Sequence, residues 1–366
     1  MSVLLDVYAC LRQILSLYEK SEGVSVDDYC DTPLVHPMAE GKYLSTLAEL
    51  FNAELINLSV LQRKASKSLA RLERLNLARD PQEACWGLGF SYRNCPSDEP
   101  FVITTAIVTH GLLDLPGDMG GALASRALRW LKNSAPRTFV ELGERKISLP
   151  LFSPNMPDVV INVVAVSAAA LHRANLLTDS HGVVDWLLAQ YRYPVGWPYT
   201  EGSCRIDLLH QCYILNSLIY MRGVQKFEEQ VFRMLGIFKT STGFLDKIDF
   251  VPSLIEKPFI TNPGVDSWFA VRDNYWVVRY KTPARDWSIG ELLVLISRLC
   301  EQGCKRVFWE KMLRKTLELA KLRLEKQIDG PTKRAIRFRH SMHLVHGVAS
   351  AIRYLRRRKT RGVGHD

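Results

Sequence analysis

Apolar residues recur every three to four positions along most of this chain, and Pro, Gly and Asn interrupt the pattern at intervals. That spacing predicts helices near 3–20, 40–77, 101–114, 121–134, 158–177, 181–191, 205–222, 225–239, 264–280, 286–302, 305–328 and 333–358. Strand signals are few. "RTFVELGERKISLPLF" and "GFLDKIDFVPSLI" read as short hairpins, placed in loops rather than in a sheet core. The pattern predicts an all-α chain.

Five of these helices open on a polar or small residue and then run apolar around nearly their whole circumference: "TTAIVTHGLLDL", "NVVAVSAAALHRA", "HQCYILNSLIYM", "SIGELLVLISRLC" and "HSMHLVHGVASAI". Each has a more amphipathic neighbour. A helix apolar all round has to be enclosed, whereas one with a polar face lies outside. The alternation therefore predicts an α/α toroid, a complete or incomplete (α/α)6-type barrel with a few loop hairpins. A helical solenoid has the same alternation. The toroid is preferred because aromatic and acidic residues gather in the loops, which a toroid collects at one mouth. The expected division is an N-terminal helical segment over 1–80 packing on the toroid, the toroid over 81–330, and a basic helix and tail over 331–366.

Composition refines this picture in three places. With 47% hydrophobic and 23% charged residues the chain is ordinary for a globular protein. No window reaches about eighteen uninterrupted apolar residues, the length a membrane-crossing helix needs. The opening "MSVLLDVYACLRQILSLYEK" lacks a basic start and a small-residue cleavage site, so it reads as a packing helix, and the expected location is cytoplasmic or peripheral at the inner membrane face. The eight cysteines are scattered without a CxxC pair, which predicts free thiols in a reducing compartment; Cys300 and Cys304, four apart on an expected helix, are two ligands at most.

The third refinement is charge. From Lys305 onward there are eighteen Lys and Arg against five acids, a net of +13, while the whole chain carries +10. The run "RYLRRRKTRG" predicts a solvated, partly frayed tail able to meet an anionic membrane surface or an acidic polymer. Sparse aromatics there, and no recognisable nucleic-acid module, argue against nucleic acid as a partner.

Candidate chemistry concentrates where loops become helices. In "YPVGWPYTEGSCRIDLLHQ", Pro194, Gly196 and Pro198 keep the chain out of helix, and Asp207 then precedes His210 by three, one helical face apart. Trp197 and Tyr199 offer flat faces for sugar rings, and Glu201, Asp207 and His210 are groups suited to moving protons. The competing reading is a packed Trp197, a capping Ser203 or Asp207 and an interior His210. A second cluster, "CWGLGFSYRNCPSDEPFVITT", sets Trp86, Tyr92 and Arg93 before another apolar helix, with Arg93 able to grip a carboxylate in two places. Its glycines are no dinucleotide fingerprint, since no strand precedes them. A third stretch ends in "ARDWSIGELL", contributing Arg285, Trp287 and Glu291; upstream of it Trp268, Tyr275 and Arg279 share a helical face. His340, His343 and His346 span too wide an arc for one metal ion and read as imidazoles on a basic helix face. No metal and no cofactor are expected.

"GWPYTEGSCRIDLLHQCYILNSL", "WGLGFSYR" and "ARDWSIGELLVLISRL" resemble segments of bacterial polysaccharide-biosynthesis-associated α/α-toroid proteins, and more broadly the helical domain of glucuronyl C5-epimerases, over about Trp86 to Cys300. The resemblance implies a role in making or modifying a cell-surface polysaccharide, with a saccharide ligand, and carries Trp197, Tyr199, Asp207 and His210 over as motif positions. Arg205–Ile206 and the basic tail depart from it. The chemistry expected is proton abstraction and return by Tyr199, Glu201 or His210 with Arg93 or Arg285 holding a carboxylate, as in an epimerase or lyase. A hydrolase using Glu201 and Asp207, a non-catalytic glycan-binding assembly factor and a terpene-cyclase-like toroid are the alternatives. A deep cavity joining Glu201, Asp207 and His210 would favour an enzyme; an aliphatic, acid-free one would favour the terpene reading.

Overall fold

The computed structural model describes residues 2–252, 264–272, 275–329 and 336–362. Six helices form an inner set: α2 (Pro37–Asn52), α4 (Val102–Asp114), α6 (Ile161–Arg173), α8 (Leu208–Arg222), α10 (Asp286–Gln302) and α12 (Phe338–Gly362). Each packs on the next, and α12 packs back on α2, so the run of inner contacts returns to its start. Outside them lie α1 (Ser2–Lys20), α3 (Leu58–Arg74), α5 (Gly121–Asn133), α7 (Ser180–Ala189), α9 (Glu228–Phe238) and α11 (Arg306–Asp329). From α3 to α11, each leans on the inner helix before it, while α1 bridges α11 and α12. The five stretches with apolar circumferences are α4, α6, α8, α10 and α12, and nearly every residue of α4, α6 and α8 is buried. The sixth inner helix, α2, is hidden in the long 40–77 periodicity, which the structure divides at residues 53–57.

Inner helices approach most closely where glycines face each other. A Cβ on Gly111 of α4 would sit 2.2 Å from the Gly41 carbonyl oxygen of α2, and one on Gly347 of α12 would sit 2.2 Å from that of Gly290 in α10. These crossings bring the backbones together and turn the neighbouring side chains toward the ring axis.

Connections from inner to outer helices are short, while those from outer to inner are long and carry the strands. All the long connections therefore gather at the N-terminal ends of the inner helices. Between α1 and α2 lies a hairpin, β1 (Val24–Asp27) with β2 (Cys30–Val35), and between α5 and α6 another, β3 (Arg137–Leu142) with β4 (Arg145–Pro150). The latter is the first of the two expected hairpins. The second stretch instead supplies β6 (Lys247–Pro252), part of a four-stranded antiparallel sheet with β5 (Arg205–Asp207), β7 (Val265–Arg272) and β8 (Tyr275–Tyr280), in the order β5-β6-β8-β7; its residues 253–255 lie outside the described residues.

Several expectations are corrected here. The stretch 264–280 is a hairpin, not a helix: Trp268 pairs opposite Val278, and Tyr275 and Arg279 lie on the second strand. Its β-branched and aromatic residues outweighed a chance helical spacing. The basic run is helical to Gly362 rather than frayed, with Tyr354 and Leu355 buried, Arg353 paired to Glu49 and Glu301, and Arg358 paired to Glu310; residues 363–366 lie outside the described ones. His340, His343 and His346 point inward and are at least nine-tenths buried, so they form no basic outer face. Burial pushes His340 down to about 3 and the other two well below the ordinary imidazole value, which leaves all three neutral. All eight cysteines are free, with Cys300 buried in α10 and Cys304 exposed beyond its end. Among the described residues no helix is long and apolar enough to cross a membrane, and no group of three or more His, Cys, Asp or Glu could hold a metal ion.

Candidate active site

Helical periodicity builds an axial cavity in layers. The second residue of each inner helix lines a mouth of about 660 Å³: Met38, Ile103, Asn162, Leu209, Trp287 and Arg339. Four residues further along come Lys42, Ile107, Val166, Tyr213 and Glu291, with His343 in the equivalent place bonded to Tyr213. Ile107 and Tyr213 border both the mouth and a smaller chamber of about 110 Å³ beyond them. The mouth has the size of a small-ligand pocket and receives the N-terminal ends of six helices, whose dipoles favour negative charge.

Of the residues singled out from sequence, Tyr92, Arg93, Tyr199, Asp207, His210, Arg285 and Trp287 lie on the mouth's wall. Asp207 ends β5 and caps α8, accepting from the His210 backbone N–H at 2.9 Å with Oδ1, while Oδ2 lies 2.5 Å from His210 Nδ1. Oδ1 serves the cap and Oδ2 meets the ring, so the capping and functional readings are two roles of one side chain. Burial pushes the Asp207 carboxyl up, but the hydrogen bonds and charge of His210, together with Arg285, outweigh it and hold the acid below its usual range. In the neutral imidazole, a proton on Nδ1 facing Asp207 Oδ2 leaves Nε2 as the acceptor. Tyr199 packs its ring 5.0 Å from that of His210, and burial raises its phenol so that it stays protonated.

Aromatic and cationic groups complete the wall. Arg285 is held by Asp246 at 3.0 Å with its guanidinium 4.6 Å over Trp287. Arg339 bonds Asp27 at 2.7 Å and lies over the rings of Trp287, Tyr29 and Phe90. Arg205 and the Tyr280 hydroxyl both donate to Asp249. Arg93, exposed and at φ 51°, lies over Tyr92 and has no carboxylate partner among the described residues. Besides His210 Nδ1, which faces Asp207, three buried polar atoms on this wall, Asn162 Oδ1, Trp287 Nε1 and Arg339 Nε, lack hydrogen-bond partners among the described residues. A polar ligand would satisfy them.

Four sequence candidates are placed elsewhere. Glu201 is exposed and off the cavity wall, so it does not meet Asp207 and His210. Glu291 lines the inner chamber, ion-paired to Lys42. Trp86 and Trp197 are fully buried pins. Trp86 Nε1 donates to Leu72 O of α3 and its backbone N–H to Thr105 Oγ1 of α4; Trp197 Nε1 donates to Leu187 O of α7 and its backbone N–H to Gln211 Oε1 of α8. Thr105 and Gln211 occupy the same place in their helices, which explains why the two loops look alike. The parallel belongs to the scaffold. Tyr29, Asn162, Tyr213 and Arg339 were not singled out for this site, although counting from the helix starts finds the last three.

No protein-family profile matches the sequence, and no curated protein does. Among solved structures, the chain is similar to a cellobiose 2-epimerase from Bacillus thermoamylovorans B4167, at 12% identity over 87% of each chain with a TM-score of 0.53. It is similar to a glycoside hydrolase family 76 mannosidase, Bt3792 from Bacteroides thetaiotaomicron VPI-5482, at 11% identity over 98% of this chain and 100% of that one, TM-score 0.53. A sugar epimerase from a ruminal bacterium gives 11% identity, 90% and 88% coverage and a TM-score of 0.51. At such identities the likeness is one of fold, and the fold is of the helix-rich α/α-toroid type.

Proposed function

We propose that this chain is a carbohydrate-active enzyme of polysaccharide metabolism whose six helix pairs form a closed toroid, and that it transfers a proton on a saccharide bearing a carboxylate. The observation that carries the reading is the Asp207–His210 pair set inside a cavity walled by aromatic rings and arginines. His210 Nε2 takes the proton from the carbon next to the carboxylate, and the electrons of the broken C–H bond move into the carboxylate oxygens. Arg93, free of acids, holds that carboxylate, and the helix N-termini favour its growing charge. Return of a proton to the opposite face by the protonated Tyr199 phenol, which His210 then reprotonates, gives an epimer; loss of the neighbouring substituent, which leaves with the proton held on His210, gives an unsaturated product. The similar structures include sugar epimerases and a mannosidase, which supports a saccharide ligand and leaves the reaction to the site.

A hydrolase built on Glu201 and Asp207 has no support, because Glu201 is off the wall. The terpene-like alternative expected an aliphatic, acid-free cavity, and this one carries Asp207, Asp249 and four arginines. The non-catalytic assembly factor keeps one observation in its favour: the cavity's two carboxylates are both engaged, by His210 and by Arg205 with Tyr280. Titration calorimetry with uronic-acid and neutral oligosaccharides, using wild type and Arg93→Ala, tests the ligand class. Binding of the acidic set, weakened at least ten-fold by Arg93→Ala, is expected. Preference for neutral sugars, unaffected by that change, would contradict it.

A further inference from the structure

The chamber beyond Ile107 and Tyr213 has no part in the proposed reaction, yet it is polar where a toroid core would ordinarily be apolar. Its carboxylates are all engaged: Glu291 by Lys42, Asp114 by Arg173 at 2.8 Å and Ser45 at 2.6 Å, and Glu49 by Arg353 and Ser350. Arg298 is different. Its guanidinium donates to the backbone and side-chain oxygens of Asn216, at 3.0 and 3.1 Å, and has no carboxylate partner among the described residues. His346, 7% exposed, has its buried Nδ1 without a partner. The chamber thus offers N–H donors on Arg298 and Lys42 and an imidazole whose Nδ1 has no hydrogen-bond partner among the described residues.

Acceptors are what such a space lacks, and an oxyanion is a ligand made only of acceptors. We infer that the inner chamber is a binding site for one small oxyanion, of the phosphate, sulfate or short-carboxylate class, held by Arg298 and His346 on the ring axis opposite the mouth. A cavity of about 110 Å³ has room for an ion of that size. Cations near helix C-termini also offset the helix dipoles. That accounts for positive charge there, but not for a buried imidazole with an unpartnered nitrogen.

The test is isothermal titration of the purified full chain with sodium sulfate and with sodium phosphate at constant ionic strength, comparing wild type, Arg298→Met, His346→Gln and the mouth variant Arg93→Ala. Saturable one-site binding, weakened at least ten-fold by Arg298→Met and by His346→Gln and unchanged in Arg93→Ala, is expected. Acetate titrated in the same way separates a carboxylate preference from one for the tetrahedral ions. Should Arg298→Met fail to fold, His346→Gln and Arg298→Lys, which keeps the charge but not the planar fork, carry the reading. Absence of saturable binding, binding indifferent to the chamber variants, or binding lost in Arg93→Ala would each overturn the site, the last by moving the anion to the mouth. None of these results bears on proton transfer at His210.

Discussion

Trp197→Phe separates a scaffold role from a sugar-binding one. The indole is 1% exposed, its Nε1 donates to the Leu187 carbonyl at 2.6 Å, and its ring lies 4.6 Å from that of Tyr191. Phenylalanine keeps an aromatic ring but removes the shorter of two hydrogen bonds to Leu187 O, which keeps the Gln190 backbone N–H at 3.2 Å; the lost bond costs about 0.5–1.5 kcal/mol. The atoms removed from a site that cannot fully close add roughly 1–2 kcal/mol. The sum is roughly 1.5–3.5 kcal/mol, or a fall in melting temperature of about 3–7 °C at about 2 °C per kcal/mol for a chain of this length. Differential scanning calorimetry measures the loss, and oligosaccharide titration below the transition should show wild-type affinity. An unchanged melting temperature together with lost affinity would refute the reasoning and return Trp197 to the binding surface.

Other consequences follow from the same packing. Trp287→Ala, on the mouth's wall, should weaken saccharide binding roughly ten-fold, equivalent to about 1.4 kcal/mol, with little loss of stability, the reverse of Trp197→Phe; equilibrium binding and thermal melts distinguish the two. Gly290→Ala places a Cβ 2.1 Å from the His343 carbonyl oxygen, so the α10–α12 crossing must open, at about 1–3 kcal/mol by urea denaturation. Burial holds His110 and His340 down at about 3 each, so between an unfolded value near 6.5 and that folded value the unfolded chain binds more protons. Stability is therefore full above pH 6.5 and lost as pH falls toward 3, and His340→Gln should flatten the decline in a series of melts from pH 7 to 4.

The ring was legible because its inner helices are enclosed on every side: "TTAIVTHGLLDL" and its four counterparts could be stable nowhere else. The helix α2 escaped notice because Glu40, Lys42 and Glu49 make it look amphipathic, and their partners Arg71, Glu291 and Arg353 are remote in sequence. Asp207 and His210 could be read together because one helical turn joins them. Glu201, only six residues before Asp207, could not be excluded without knowing that the loop turns it outward. The sheet of β5 to β8 was misread for a related reason, since pairing partners such as Ile248 and Arg279 lie far apart along the chain. Trp86 and Trp197 show the limit most plainly: an aromatic in a loop before a helix has the same local sequence whether it pins the loop or meets a ligand.

The central claim is that His210, aligned by Asp207, moves a proton on an acidic saccharide. Proton NMR in heavy water, with uronic-acid oligosaccharides and wild type beside folded Asp207→Asn and His210→Ala, tests it most directly. Deuterium entering at the carbon next to the carboxylate with wild type, and slowed at least a hundred-fold in both variants, is the predicted result. Tight binding of the same saccharides by wild type without exchange or cleavage would contradict the claim and leave a glycan-binding protein.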